Sequence, residues 1–263
     1  TTQIGDEMDE DPAPLIRILP DPAHLADAVA EAFVELLRDP APAGAPLPAY
    51  EVGLTGGTIA RAIHRAIARR ADQVDWGYVR MWWGDERFLP REHPERNATQ
   101  AREDFLDSLT LLPGEWPRPL LEDAIMEIPS LDEVASVHRA AEVYADLVRH
   151  VGTGGFDLLM LGVGPDGHGA SRLPGHPALE VNDQITVAVT DSPKPPPERV
   201  SLSFAAMDRT ANVWFVVSGA EKAEAVRRSL APTGTITESP ARGVRGHQQT
   251  VWWLDEAAAT LLT

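Results

Sequence analysis

The chain has no cysteine. That excludes disulfides, thiol nucleophiles and Cys-ligated zinc, and it fits a reducing compartment, with the cytoplasm as the expected location. No stretch approaches the roughly 18 consecutive apolar residues that a membrane span requires. Positive charge is scarce: 23 Lys and Arg stand against 40 Asp and Glu, a formal net charge of -17. A surface of that sign excludes broad contact with nucleic acid or anionic membrane, because phosphate contacts need a basic face. A secretory signal is not expected, since Thr1 to Asp11 offers no basic patch followed by an apolar stretch. Residues 1–14 are expected to form a disordered acidic tail, and the rest, 15–263, one domain.

Within that domain short β-like runs alternate with longer helix-like segments, the pattern of a layered α/β domain with a mostly parallel sheet. Strands are predicted at Leu15–Leu19, Tyr50–Leu54, Tyr78–Trp83, Phe156–Leu161, Asn212–Ser218 and Val251–Leu254. Helices are predicted over His24–Arg38, Thr58–Arg70, Asn97–Leu109 and Glu221–Leu230, with a short helix after the last strand. Pro40–Pro48 and Ser192–Pro197 must be loops, because proline lacks the N–H that ladders and helices use. The pairs Trp82-Trp83 and Trp252-Trp253 lie in apolar runs and read as packing residues, one of each pair facing inward and the other outward.

In open α/β sheets ligands bind beyond the carboxyl ends of the strands. Four polar, glycine-containing segments fall there: Thr55-Gly56-Gly57-Thr58, Gly84-Asp85-Glu86-Arg87, Gly162 to His168, and Gly219-Ala220-Glu221-Lys222. The first is either an anion cradle of backbone N–H groups or a tight turn capped by Thr58. In the second, Asp85 and Arg87 either enter a cleft or pair to tie down the turn. The third, Gly162-Val163-Gly164-Pro165-Asp166-Gly167-His168, spells G-x-G-x-x-G. A dinucleotide site is nevertheless excluded: the motif comes late in the chain, Pro165 sits inside it, and Pro174 and Pro177 break the helix that should follow. The bend instead presents Asp166 and His168, which either couple or act separately on one substrate. Lys222 near a helix start opposes the helix dipole and suggests a phosphate contact or a surface lysine. Lys194 and Arg199 flank three prolines as a further anion clamp. Of the other histidines, His24, His64, His138 and His150 read as surface residues and His176 and His247 as loop residues. No pair has metal-ligand spacing, so neither a metal nor another cofactor is expected.

These ordered motifs, together with Glu95-Arg96-Asn97, Pro195 to Leu202 and Ser218 to Lys222, resemble the 6-phosphogluconolactonases and, more distantly, the glucosamine-6-phosphate deaminases. The resemblance implies a modified Rossmann-like three-layer αβα sandwich. It also implies hydrolysis of 6-phospho-D-glucono-1,5-lactone to 6-phosphogluconate, the second step of the oxidative pentose phosphate pathway. His168 matches the base that activates water. Gly56, Gly57, Thr58, Arg199 and Lys222 match positions near phosphate and hydroxyls, and Asp85, Arg87 and Asn97 match cleft residues. Arg87 or a loop N–H is the candidate for stabilising the oxyanion. The partner is a small sugar phosphate, and the chain is expected to be a monomer or small homo-oligomer.

Two departures stand out. The deaminases carry a glutamate five residues after the histidine, where this chain has Leu173; a deaminase-like isomerase is therefore disfavoured. Lactonases usually continue Thr-Ala-Ser-Leu-Phe-Pro, whereas here Gly169-Ala170-Ser171-Arg172-Leu173-Pro174 follows. Gly169 should loosen the loop, and Arg172 puts a charge where an apolar side chain normally packs. A non-catalytic sugar-phosphate sensor would call for a fused helix-turn-helix, which the first 14 residues are too short and acidic to supply.

Overall fold

The computed structural model describes residues 11–39, 48–109, 124–181 and 183–263. Most of the expected acidic tail and the stretch 40–47 of the first proline-rich loop lie outside these residues. Asp11 is paired with His247 at 3.2 Å.

Among the described residues β1 (Leu15–Leu19), β2 (Tyr50–Leu54), β3 (Val79–Trp83), β5 (Phe156–Leu161), β8 (Thr210–Val217) and β9 (Gln249–Asp255) form one parallel sheet, ordered β1-β9-β8-β5-β2-β3. Helices flank it: α1 (Pro22–Arg38), α2 (Thr58–Ala68), α3 (Asn97–Ala101), α4 (Asp107–Leu109), α5 (Val137–His150), α6 (Phe204–Met207) and α7 (Ala223–Leu230). A π-helical turn, Arg102–Leu106, links α3 to α4. The layered α/β architecture matches the expectation. Parallel strands need crossover connections, and those helices pack α1 on β9 and α2 on β8.

Coverage of both faces corrects one expectation. Trp82 and Trp83 point to opposite faces, as do Trp252 and Trp253, yet none is more than 6% exposed. The outward-facing member of each pair meets a helix layer or loop rather than water. Trp82 packs edge-on against Tyr144 of α5, and its indole N–H donates to the buried Glu51 carboxylate at 2.5 Å.

Element ends differ where local chemistry outweighs hydrophobic spacing. α1 starts at Pro22 because Asp21 caps it, accepting the His24 N–H at 2.8 Å, and proline suits the first helical turn. Ala220–Lys222 forms a 3-10 turn before α7. Among the described residues, turns stand where a short helix was expected after β9, the carboxylate of Asp255 taking the Ala258 N–H at 2.9 Å.

A second sheet was not anticipated. β4 (Asp85–Arg87), β7 (Arg199–Leu202) and β6 (Thr186–Val189) pair antiparallel in the order β4-β7-β6. Its strands are short, and β4 is wholly charged, so period-2 alternation gives no signal. Because β4 follows β3 with only Gly84 between them, this small sheet is hung directly over the carboxyl edge of the large one.

His64 is buried, against the expectation of a surface residue. It is 1% exposed, stacks on Phe105 with ring centroids 6.1 Å apart, and has no hydrogen-bond partner at either ring nitrogen. Its place on the inward face of α2 was masked by the arginines around it. Burial pushes its pKa down from 6.5 to about 4. The folded state therefore holds the ring neutral where the unfolded chain protonates it, and stability is lost as pH falls from about 6.5 towards 4. The expected contribution is about 2 to 3 kcal/mol at pH 4.5. Urea unfolding of wild type and His64→Leu at pH 7 and pH 4.5 measures it: the variant should lose less stability on acidification by about that amount. Equal losses would show that His64 does not titrate across the unfolding transition.

Candidate active site

The loops after β2, β3 and β5, the 3-10 turn after β8, and the approach to β7 converge on one cavity of about 180 Å³. Each reaches it by a local device. After β2 the chain turns at Gly57, whose φ of +102° favours glycine, and α2 begins without any side-chain cap. Thr58 is thus the first helical residue, not the cap of the alternative turn reading, and it is exposed beside the cavity rather than lining it. The uncapped N–H groups of the first turn make a natural seat for an anion.

Asp85 and Arg87 do not pair with each other. The Asp85 carboxylate accepts a short hydrogen bond from Ser171 Oγ and a longer one, 3.4 Å, from Asn97 Nδ2, which also donates to the Asp85 carbonyl at 3.0 Å. Arg87 Nη1 donates to the Glu95 carbonyl at 2.5 Å. Both residues line the cavity with Asn97. Asn97 presses so closely on Gly56 that a Cβ there would lie 1.9 Å from Asn97 Oδ1.

The loop after β5 folds back on itself, Gly164 N–H donating to the His168 carbonyl at 3.0 Å. Gly164 has to be glycine, since a Cβ would sit 2.0 Å from His168 Cε1. Within this bend His168 Nδ1 meets Asp166 Oδ1 at 2.6 Å, so the two are coupled rather than independent. Asp166 itself stands behind the histidine and does not line the cavity. A carboxylate can only accept, so Nδ1 is the donor in this contact, and in a neutral imidazole the lone pair then falls on Nε2. Burial works against the Asp166 carboxylate. The hydrogen bonds and charge of His168 outweigh it and, with Lys194 Nζ 3.4 Å from Oδ2, hold the group well below the usual carboxylate range.

Lys222 Nζ lies inside, donating to the Val163 carbonyl at 2.8 Å, and burial pushes its pKa down. It is not a snorkelling surface lysine. Asp255 at the end of β9 holds the turn that carries it, accepting the Gly219 N–H at 3.1 Å. Arg199 is 4% exposed and points three hydrogen bonds at its own loop: Nε to the Pro196 carbonyl at 3.2 Å, Nη2 to those of Lys194 at 3.2 Å and Pro195 at 3.3 Å. It staples the Pro-rich loop and shows the cavity its remaining face. Burial also lowers its pKa, offset by Asp85. A larger groove of about 570 Å³ runs between α5 and β6, where the charged pairs Arg139–Glu142 and Arg149–Asp146 are exposed i,i+3 pairs of the helix.

Most of the residues named from sequence are therefore brought together, with Thr58, Asp166 and Lys194 set off the wall. Glu86, Arg96 and Ser171 were not assigned roles, and only their places inside quoted motifs hinted at them. Leu173 is buried in an apolar cluster with Ala178, Val187 and Val189. Arg172 is fully buried under Phe204, its guanidinium 4.6 Å from the ring centroid, and Nη2 donates to the Leu179 carbonyl at 2.8 Å. Burial lowers its pKa to about 10. Gly169 bridges to Val163 and Arg172.

The sequence profile described as glucosamine-6-phosphate isomerases/6-phosphogluconolactonase matches residues 20–253. The chain belongs to that family. A relative in Streptomyces coelicolor, named 6-phosphogluconolactonase, is 39% identical over 242 residues, covering 90% of each chain. One of the same name in Mycobacterium tuberculosis is 36% identical, covering 80% of this chain and 83% of the other. The solved 6-phosphogluconolactonase of Trypanosoma brucei superposes with a TM-score of 0.79 at 25% identity, covering 97% of this chain and all of that one. A monomeric glucosamine-6-phosphate deaminase shares the fold, with a TM-score of 0.76 at 18% identity. Within the family's frame, the contact between Gly56 and Asn97 is a direct test of the cavity. Gly56→Ala should weaken binding of 6-phosphogluconate at least about tenfold by calorimetry, a cost of about 1.4 kcal/mol, with a melting temperature lowered by less than about 5 °C. Unchanged affinity would place the ligand elsewhere.

Proposed function

We propose that the chain hydrolyses 6-phospho-D-glucono-1,5-lactone to 6-phospho-D-gluconate, with His168 as general base. The observation that carries this reading is the 2.6 Å contact between His168 and Asp166 on a cavity that also holds Arg87, Arg199 and Lys222. A lactonase needs an oriented base and a cationic seat for phosphate; the carboxylate behind His168 and the three cationic side chains on the same cavity support that reading.

In this reading the phosphate rests on the first turn of α2 with Lys222 and the open face of Arg199. The ring carbonyl lies before His168 Nε2. A water loses a proton to Nε2 as its oxygen bonds to the carbonyl carbon, and the carbonyl π electrons move onto oxygen. Arg87 stabilises that oxyanion, since its guanidinium is anchored through Nη1 alone. When the oxyanion re-forms the C=O bond, the bond to the ring oxygen breaks, and that oxygen takes the proton back from the imidazolium. Asp166 stabilises the imidazolium through Nδ1 and prevents the ring from turning. The acid formed ionises to the carboxylate product. A deaminase-like reading is disfavoured because Leu173, buried among apolar neighbours, offers no acid partner five residues beyond the histidine.

Lactone disappearance followed by NMR, against spontaneous hydrolysis, tests the proposal. Wild type should exceed background, and His168→Ala should lose about 10² to 10⁴ in kcat. Equal rates for the two proteins would remove His168 from its role. A wild type that binds 6-phosphogluconate yet stays at background would refute hydrolysis itself.

A further inference from the structure

Glu86 stands between two residues of the cavity wall, Asp85 and Arg87, but turns the other way and is 1% exposed. Its carboxylate takes three main-chain hydrogen bonds, each 2.8 Å long: Oε1 from the N–H groups of Arg87 and Asn97, and Oε2 from that of Ala98. The guanidinium of Arg96, fully buried, lies 3.7 Å away. It is held in turn by the carbonyls of Arg91 at 3.2 Å and Ile128 at 2.7 Å. Burial pushes the pKa of Glu86 up, and Arg96 and the three N–H groups act against that rise.

A carboxylate at a helix N-terminus is commonly a stability device, and α3 would gain from one anywhere in its first turn. Glu86 is an expensive way to obtain that alone. Burying a charge costs several kcal/mol before its partners repay it, whereas a serine or aspartate at position 96 would cap α3 locally. What Glu86 does and a local cap does not is tie two separate pieces of the cavity wall to one rigid group. Arg87 on β4 and Asn97 on α3 are fixed through their own main-chain N–H groups. Asn97 then holds Asp85 through Nδ2 and abuts Gly56 at the entry to α2. A shift of α3 by an ångström would reach the segment after β3 through Asp85 and the loop after β2 through Gly56, two of the segments that converge on the cavity.

We infer that Glu86 is a positioning residue of the active site, setting Arg87 and Asn97 for the reaction without touching substrate. Its kinetic test rests on the lactonase reading. Four proteins are compared: wild type, Glu86→Gln, Asn97→Ala and the double variant. Glu86→Gln keeps the shape but offers one acceptor oxygen where the carboxylate offers two. Its kcat/KM should fall about 10- to 100-fold, the cost of a misplacement near 1 Å. Asn97→Ala should also lower kcat/KM. The double variant should lie within about twofold of the worse single variant, because both changes remove the same arrangement. Losses that multiply, or an Asn97→Ala variant with wild-type activity, would overturn the inference, since a merely structural Glu86 acts independently of Asn97. Should Glu86→Gln fail to fold by near-UV circular dichroism, Glu86→Asp replaces it: the charge facing Arg96 remains while the reach to α3 is lost. Should wild type show no activity above background, the lactonase reading falls separately, and the same cycle is read on the Kd for 6-phosphogluconate. Coupled losses there support the positioning role and independent ones overturn it.

Discussion

Everything at the site depends on strands running the same way and ending nearly level. Leu54 is paired with Trp83, Leu161 with Phe215, and Val217 with Leu254, so the loops that follow start from one edge. Parallel pairing forces each connection to cross a face of the sheet, usually as a helix, and the helices bury what the strands carry. The same constraint that buries all four tandem tryptophans therefore also gathers α2's first turn, β4, the histidine bend and the Lys222 turn around one small cavity. Residues more than 160 positions apart, such as Gly56 and Lys222, meet there for this reason alone.

On the proposed function, a protein with a formal net charge of -17 has to build a seat for a phosphorylated ligand against its own field. It does so by burial. Lys222 and Arg199 are drawn from water far enough for their pKa values to fall, where their attraction for an anion is less screened than at the surface. Asp85 and Asp166 limit the cost of massing positive charge, and Asp166 also orients the His168 ring. Arg199 contributes more to loop shape than to open charge, since three of its hydrogen bonds close on the proline segment. In the proposed reading the phosphate load accordingly falls more heavily on Lys222 and the N–H groups of α2 than residue type alone suggests.

Much of this was legible in the sequence, for identifiable reasons. Apolar runs such as Phe156–Leu161 announce buried strands, and glycine-bearing polar segments after them announce a shared edge. The exclusion of a nucleotide fingerprint at Gly162 to Gly167 agrees with a bend in which Gly164 makes room for the imidazole, not for a pyrophosphate. The misses concern features that one residue's neighbours in sequence do not encode. β4 is three charged residues and pairs only because Arg199–Leu202 lies opposite. His64 is buried by packing against Phe105, 41 positions on, while arginines flank it in sequence. Glu86 looks like any solvated acid until α3 is folded against it. Arg172 departs from the usual family pattern without leaving the core: its guanidinium lies against Phe204 and its burial lowers its pKa.

In the proposed reading the carbonyl carbon and the phosphate of one sugar ligand span the distance from His168 to the Lys222 and α2 end of the cavity. A crystal structure with 6-phosphogluconate bound tests it most directly. Phosphate oxygens should lie within about 3 Å of Lys222 Nζ and the N–H groups opening α2, and the product carboxylate within hydrogen-bond distance of His168 Nε2. A ligand seated in the reverse sense, with its phosphate on His168, or one bound in the groove between α5 and β6, would contradict it.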